Sequence, residues 1–230
     1  MISKIGDELK SILYEGGASL VGFADLKSIA KSDMPFGVSV AVAIPADTVK
    51  SIHNGPNLAY YDAYHTLNEK LDHLVTMGEE FLKSKGYMAY AQTVDAVKEF
   101  GTYRTELPHK TVATNAGLGW IGKSALLVTE QFGSAIRLSS LVTNAELECG
   151  APITESKCGG CMVCASACPA KAILGKLWNV ELDRDEFFDP LACRKKAREL
   201  AAERISKEIT LCGKCIEICP YTQKYLNLVK

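Results

Sequence analysis

No stretch of this sequence approaches the roughly 18 uninterrupted apolar residues that a membrane-spanning helix needs. Its opening, MISKIGDELK, sets Asp7, Glu8 and Lys10 among the apolar positions. It therefore lacks the basic start and unbroken apolar run of a secretory signal, and the expected location is cytoplasmic with no membrane association. A charge excess is missing as well. The 26 Lys and Arg stand against 27 Asp and Glu, for a net charge of −1, which argues against a strong nonspecific grip on phosphate backbones. Cysteine is absent before position 149, yet the 230 residues hold nine of them, all between Cys149 and Cys219. Disulfides are rare in a reducing cytosol, so these cysteines read as metal ligands.

The cysteine distribution divides the chain into residues 1–148 and 149–230. In the first part, Ile2, Ile5, Leu9, Ile12 and Leu13 are spaced for one face of a helix. Residues 18–23 and 38–44 read as buried strands, the second stopped by Pro45. Leu67, Leu71, Leu74, Met77, Phe81 and Leu82 mark a long amphipathic helix over 57–85, ending near Gly86. Residues 126–129 and 135–143 read as two strands bridged by a turn at 131–134. Helices and strands mixed in this way predict a layered α/β or α+β domain. The second part is loop-rich around its cysteines, with a helix near 190–206. Arg194, Lys195, Lys196 and Arg198 make that helix basic, either as a solvated face or as a patch for an acidic partner or RNA.

Cys158, Cys161, Cys164 and Cys168 follow C-x2-C-x2-C-x3-C with Pro169 next, the bacterial ferredoxin run in which the fourth cysteine serves the other cluster. Cys212, Cys215 and Cys219, followed by Pro220, form a partial second copy, with Ile209 where a compact repeat would place a cysteine. Two [4Fe–4S] cubes need eight thiolates and the motifs supply seven. Cys193, between the motifs, is preferred over Cys149 as the eighth. The expected sets are Cys158, Cys161, Cys164 and Cys219 on one cluster, and Cys168, Cys193, Cys212 and Cys215 on the other. Structural zinc favours two separated C-x2-C pairs instead.

Gly117 to Ser124, GLGWIGKS, matches a P-loop letter for letter, and its glycines match G-x-G-x-x-G. Both motifs need a buried strand before and a helix after, so that amides and the helix dipole meet phosphate. Here a polar, helix-like segment precedes and a strand-like one follows, so nucleotide binding is not expected. Three glycines in six residues with Trp120 among them fit a tight turn where backbone approaches a flat ligand, or a purely structural turn.

AGLGWIGK at 116–123, the Gly133-Ser134 pair, the ferredoxin run with its late C-x2-C-x3-C-P, and the early ASLVGFADL together resemble epoxyqueuosine reductase and its relatives. The reductive dehalogenases share that architecture but usually carry an export signal. The resemblance implies an α+β protein: a nitroreductase-like α/β domain over 1–148, followed by a ferredoxin-like two-[4Fe–4S] module over 149–230. It implies a cobalamin in the first domain, with Gly117, Leu118, Gly119, Trp120, Gly122 and Lys123 lining its site. It also implies Cys193 as the eighth cluster ligand. The clusters would pass electrons from a low-potential donor such as ferredoxin or flavodoxin to a base-off corrinoid, which acts on a small molecule or modified nucleoside. None of His53, His65 and His73 lies in the D-x-H-x-x-G signal of histidine-ligated cobalamin. Asp95, in TVDA, is the nearest match to the family's acidic proton donor, and Tyr103 and His109 are the other polar candidates above the cobalt. Pro108-His109-Lys110 stands where a Glu-Arg pair is expected. The family's helical-repeat region, which helps hold tRNA, has no counterpart before Lys230, so the resemblance is to a short form and weighs against tRNA as the substrate. Two alternatives remain beside it: a non-catalytic electron carrier docking a corrinoid or other redox partner, and an FMN-dependent iron–sulfur reductase.

Overall fold

A computed structural model describes residues 2–29 and 32–228. In chain order the elements are α1 (Ile2–Glu15), β1 (Leu20–Asp25), β2 (Phe36–Ala43), α2 (Ala46–Ser51), α3 (Leu58–Ser84), β3 (Ala89–Ala91), α4 (His109–Asn115), β4 (Trp120–Ile121), β5 (Leu127–Val128), β6 (Ile136–Thr143), α5 (Val163–Ala167), α6 (Pro190–Ile205), α7 (Lys214–Glu217) and α8 (Pro220–Leu228). They form two compact units. The first takes residues 1–43, 67–119 and 137–153; the second takes 44–66, 120–136 and 154–230. The cysteine-rich segment thus draws two upstream stretches into its own unit.

The first unit is built on a four-stranded sheet in the order β1-β2-β6-β3. β1 pairs antiparallel with β2, Gly22 opposite Ser39, and β3 pairs antiparallel with β6, Tyr90 opposite Val142. Alternation gives the two faces different jobs. Val21, Phe23, Val38, Val40, Val42 and Leu141 point into the main core, where Leu9 and Leu13 of α1 meet Leu71, Leu74, Val75 and Leu82 of α3. These helical positions recur every three or four residues, so one stripe of each helix is buried. The side chain of Ile2 lies outside the described residues. The other face carries Gly22, Gly37, Ser39 and Ala41, small enough for α4 to approach closely. A Cβ at Gly22 would come within 2.8 Å of Leu118, and one at Gly37 within 2.7 Å of Val112. Residues 149–151 strap the end of α4: Gly150 N–H donates to Phe23 O at 2.9 Å, and a side chain there would strike Ala116 O at 2.3 Å.

The second unit has little sheet and is held by specific ties to α8. Tyr225 donates its hydroxyl proton to Ile44 O at 3.0 Å, and Thr222 Oγ1 accepts from Ser134 N–H at 3.1 Å. Gly133 sits at φ +56° where a Cβ would be 2.2 Å from Thr222 N, so only glycine fits. α6 begins with Asp189, whose carboxylate accepts from the amides of Leu191 and Ala192, and has Pro190 in its first turn. Both are standard helix-start chemistry. It ends at Ser206 in the left-handed conformation.

The strand and helix expectations are met to within about two residues at 20–25, 36–43, 58–84 and 190–205. The two strands bridged by the 131–134 turn are present as β5 and β6, and they lie in different sheets. β5 pairs with β4 in a small two-stranded sheet, while β6 belongs to the large sheet. A bridge between Thr129 and Gly133 closes the turn itself. The physical reason is Gly133, whose close fit to Thr222 fixes the turn within the second unit.

Candidate functional site

The cysteines are presented by short elements chosen for sharp changes of direction. Cys158 and Cys161 flank Gly159, at φ +51°, in a loop closed by Cys161 N–H donating to Cys158 O at 3.1 Å. α5 carries Cys164 and is capped by Cys168. Cys193 lies in the first turn of α6 with its amide on Asp189 O. Gly213, at φ +81° and pressed against Ile52 and Tyr60, starts α7, which carries Cys215 between Cys212 and Cys219. All nine cysteines are free and none is fully exposed or fully buried.

Their mutual electrostatics sort them. Burial pushes the Cys164 thiol up to about 11, and Cys158, Cys219 and Cys161 push it further in the same direction. Cys193 is likewise raised by burial to about 11, with Cys168 and Cys212 as its thiol neighbours. Cys215 is raised by burial, then by Cys212, Cys193, Cys164 and Cys168. Burial also raises Cys212, which feels Cys168. Cys164 thus has Cys158, Cys161 and Cys219 as electrostatic neighbours, Cys193 has Cys168 and Cys212, and Cys215 has Cys212, Cys193 and Cys168 together with Cys164. Cys149 belongs to the first unit, where its thiol donates to Leu147 O at 3.3 Å and its charged neighbours are Asp25 and Lys27.

Thiols raised by desolvation stay protonated at neutral pH, so they bind metal only by giving up protons to a strongly bonding cation. Among the described residues, no three His, Cys, Asp or Glu side chains converge closely enough for one metal ion. The order of the cysteines along the chain, C-x2-C-x2-C-x3-C and C-x2-C-x3-C, is the ferredoxin pattern and not the two separated C-x2-C pairs of structural zinc.

The glycine-rich segment is shared between the units. Gly117 (φ +72°), Leu118 and Gly119 belong to the first, where Leu118 packs on Gly22. Trp120, Gly122 and Lys123 belong to the second, on the β4–β5 hairpin. There a Cβ on Gly122 would stand 3.6 Å from Cys158 Sγ, and Lys123 Nζ donates to Cys161 O at 2.9 Å. Trp120 is fully buried, edge-on to Tyr221 with ring centroids 4.8 Å apart. The lysine of the P-loop-like string thus faces a cysteine carbonyl, in keeping with the sequence argument against phosphate.

In the first unit, Asp95 is exposed on the loop after β3, and Tyr103 sits at φ +60° inside the turn bridged by Phe100 and Arg104. His109, half-buried at the start of α4, has Nδ1 2.8 Å from Ser140 Oγ, and Ser140 donates to Gln92 Oε1 at 2.5 Å. Ser140 has a single proton and gives it to Gln92, so His109 Nδ1–H donates to Ser140. Burial, then the charge of Arg137, holds the His109 pKa down at about 4. At neutral pH it is an uncharged imidazole, a poor proton donor. Gln92 and Ser140 did not stand out in the sequence, since neither belongs to a recognisable motif. On the same sheet face, β6 and β3 carry Val142 and the 49% exposed Tyr90, while α4 packs on β1 and β2.

Residues 157–222 match the 4Fe-4S double cluster binding domain. A curated epoxyqueuosine reductase of Lactococcus garvieae (strain Lg2) is 33% identical over 162 residues, 70% of this chain and 42% of that protein. The chain therefore spans about two fifths of that relative's length. A crystal structure of epoxyqueuosine reductase with a tRNA-Tyr epoxyqueuosine-modified stem loop matches with TM-score 0.62 at 24% identity, over 96% of this chain and 66% of that one. A reductive dehalogenase, whose structure suggested a mechanism for B12-dependent dehalogenation, matches with TM-score 0.69 at 17% identity, over 96% and 32%. At such identities the two structures establish the fold. The protein is thus a mixed α/β protein with a 4Fe-4S double cluster binding domain over residues 157–222. In sequence the chain is similar to epoxyqueuosine reductase over 70% of its length.

Proposed function

We propose that this chain is an iron–sulfur reductase in which two [4Fe–4S] clusters deliver electrons to a corrinoid held by a nitroreductase-like first domain. One observation carries the electron-transfer part: residues 157–222 match a 4Fe-4S double cluster binding domain and hold eight cysteines, supported by the thiol neighbours of Cys164, Cys193 and Cys215, while Cys149 lies in the first unit. Cys158, Cys161, Cys164 and Cys219 would hold the first cluster, and Cys168, Cys193, Cys212 and Cys215 the second. Cys215 feels Cys164 as well as its own group, so the two clusters would be close enough to exchange electrons.

The corrinoid part is supported by the sheet face beyond α4, where Tyr90 and Val142 are only partly covered, and by the likeness to a B12-dependent dehalogenase. A bound corrinoid would supply a strongly reducing, nucleophilic metal, and the chain's own residues would orient the substrate and handle its proton. With His109 neutral and tied to Ser140, it would orient or accept, leaving Asp95 or Tyr103 to donate. The substrate class that fits the relatives is a modified nucleoside or another small organic molecule, and the electron source a ferredoxin or flavodoxin.

The test is an anaerobic titration of the reconstituted protein with cobalamin. A saturable change to the base-off spectrum, with cobalt reduced when electrons enter through the clusters, is the expected result. Unchanged spectra with both clusters intact would overturn the corrinoid assignment. A tightly bound flavin in the purified protein would point to an FMN reductase, and no added chromophore to a carrier that docks a redox partner.

A further inference from the structure

Lys123 is the only buried basic side chain among the described residues, at 4% exposure. Lysine is almost never buried without an anion, because a desolvated ammonium is costly. Yet its only partners are neutral: Cys161 O at 2.9 Å and Met162 Sδ at 3.4 Å. The hairpin that carries it is rigid. Trp120 and Ile121 pair with Val128 and Leu127, Gly122 N–H donates to Leu126 O at 2.8 Å, and Ala125 N–H donates to Gly122 O at 2.9 Å. On the same hairpin the buried Trp120 Nε1 has no hydrogen-bond partner. A buried cation is thus fixed on Cys161, on a hairpin whose Gly122 lies against Cys158, and among the described residues no protein anion meets it.

We propose, resting on the two-cluster reading above, that Lys123 is the countercharge of the first cluster and raises its reduction potential above that of an otherwise identical cube. A cube with four thiolates is an anion, and each electron it gains adds negative charge. A nearby buried cation therefore stabilises the reduced form more than the oxidised one. Among the described residues the second group has no buried basic side chain. The lysine beside Cys212 is Lys214, whose ammonium is already neutralised by the buried carboxylate of Glu217 at 2.9 Å. The two clusters are thereby made unequal by the protein, and an electron arriving at the pair comes to rest on the first.

The experiment is an anaerobic redox titration, followed by electron paramagnetic resonance, of the wild type and of Lys123→Met, Lys123→Gln and Lys123→Arg. The expected result is two midpoint potentials in the wild type. One moves to more negative values in Lys123→Met and Lys123→Gln, stays near its original value in Lys123→Arg, and leaves the other unmoved throughout. Unchanged potentials in Lys123→Met with full iron would overturn the proposal, as would equal movement of both. If Lys123→Met fails to hold iron, the Gln and Arg variants decide, since Gln keeps a donor but not the charge; equal potentials in those two overturn it. Iron analysis of the wild type tests the underlying reading separately. About eight irons per chain fits two clusters, and about four would sink that reading whatever Lys123 does.

Discussion

At the scale of single residues, the two histidine and cysteine questions have direct readouts. His109 is depressed to about 4 in the folded chain from 6.5 when unfolded. Its stabilising contribution is therefore whole above pH 6.5 and is lost as pH falls toward 4, where the unfolded chain takes up a proton that the native chain refuses. The loss is at most about 3.4 kcal/mol, set by the distance between 6.5 and about 4. Urea unfolding at pH 7 and pH 4.5 should show a smaller acid-induced drop in His109→Gln than in the wild type; equal drops would mean that another group causes it. Cys193→Ala should halve the bound iron, whereas Cys149→Ala should leave it unchanged. Iron retained in the first or lost in the second would exchange their roles. The residue chemistry of the metal centre was legible in the sequence because closely spaced cysteines encode their geometry locally. The partner of His109 was not, because Ser140 lies 31 positions away with no motif to mark it.

At the scale of elements, α6 matters because it carries Cys193 on its first turn. Asp189 satisfies the amides of Leu191 and Ala192 there. Replacing it with alanine should cost about 1 kcal/mol of helix stability. Asp189→Ala should also slow iron incorporation and leave one cluster labile, while Asp189→Ser keeps both; identical cluster lifetimes in the two variants would refute this. The basic stretch of α6 is partly spent on Lys196–Glu199 and Arg198–Glu208 pairs at its surface. Such exposed pairs are worth little to stability. Periodicity revealed this helix, the long α3 and the buried strands, since each buries a stripe or face that shows in the spacing. It could not reveal that β5 and β6 lie in different sheets. An apolar run records that a strand is buried and says nothing of its neighbour, and Gly133 meets Thr222 from 89 positions away.

At the scale of the whole chain, the composition of the second unit makes a prediction that segment boundaries drawn from the cysteines alone do not. Residues 44–66 and 120–136 share a unit with the thiols, and metal binding to such sites is folding free energy for whatever surrounds them. Removing iron with a chelator should therefore raise amide hydrogen exchange in those stretches together with 154–228. Residues 67–91 of the first unit should stay protected. Exchange confined to 154–228 would mean that the upstream stretches are independent of the metal. The same division bears on how the protein is made. The first unit is complete once the ribosome has passed Ile153, but 44–66 and 120–136 rest on Tyr225 and Thr222, which lie well downstream of it. Domains fold as they emerge, so these two stretches are expected to stay open until residues 222–225 follow, and a chain with its first unit folded and its cysteine-bearing unit still open is the expected intermediate of synthesis.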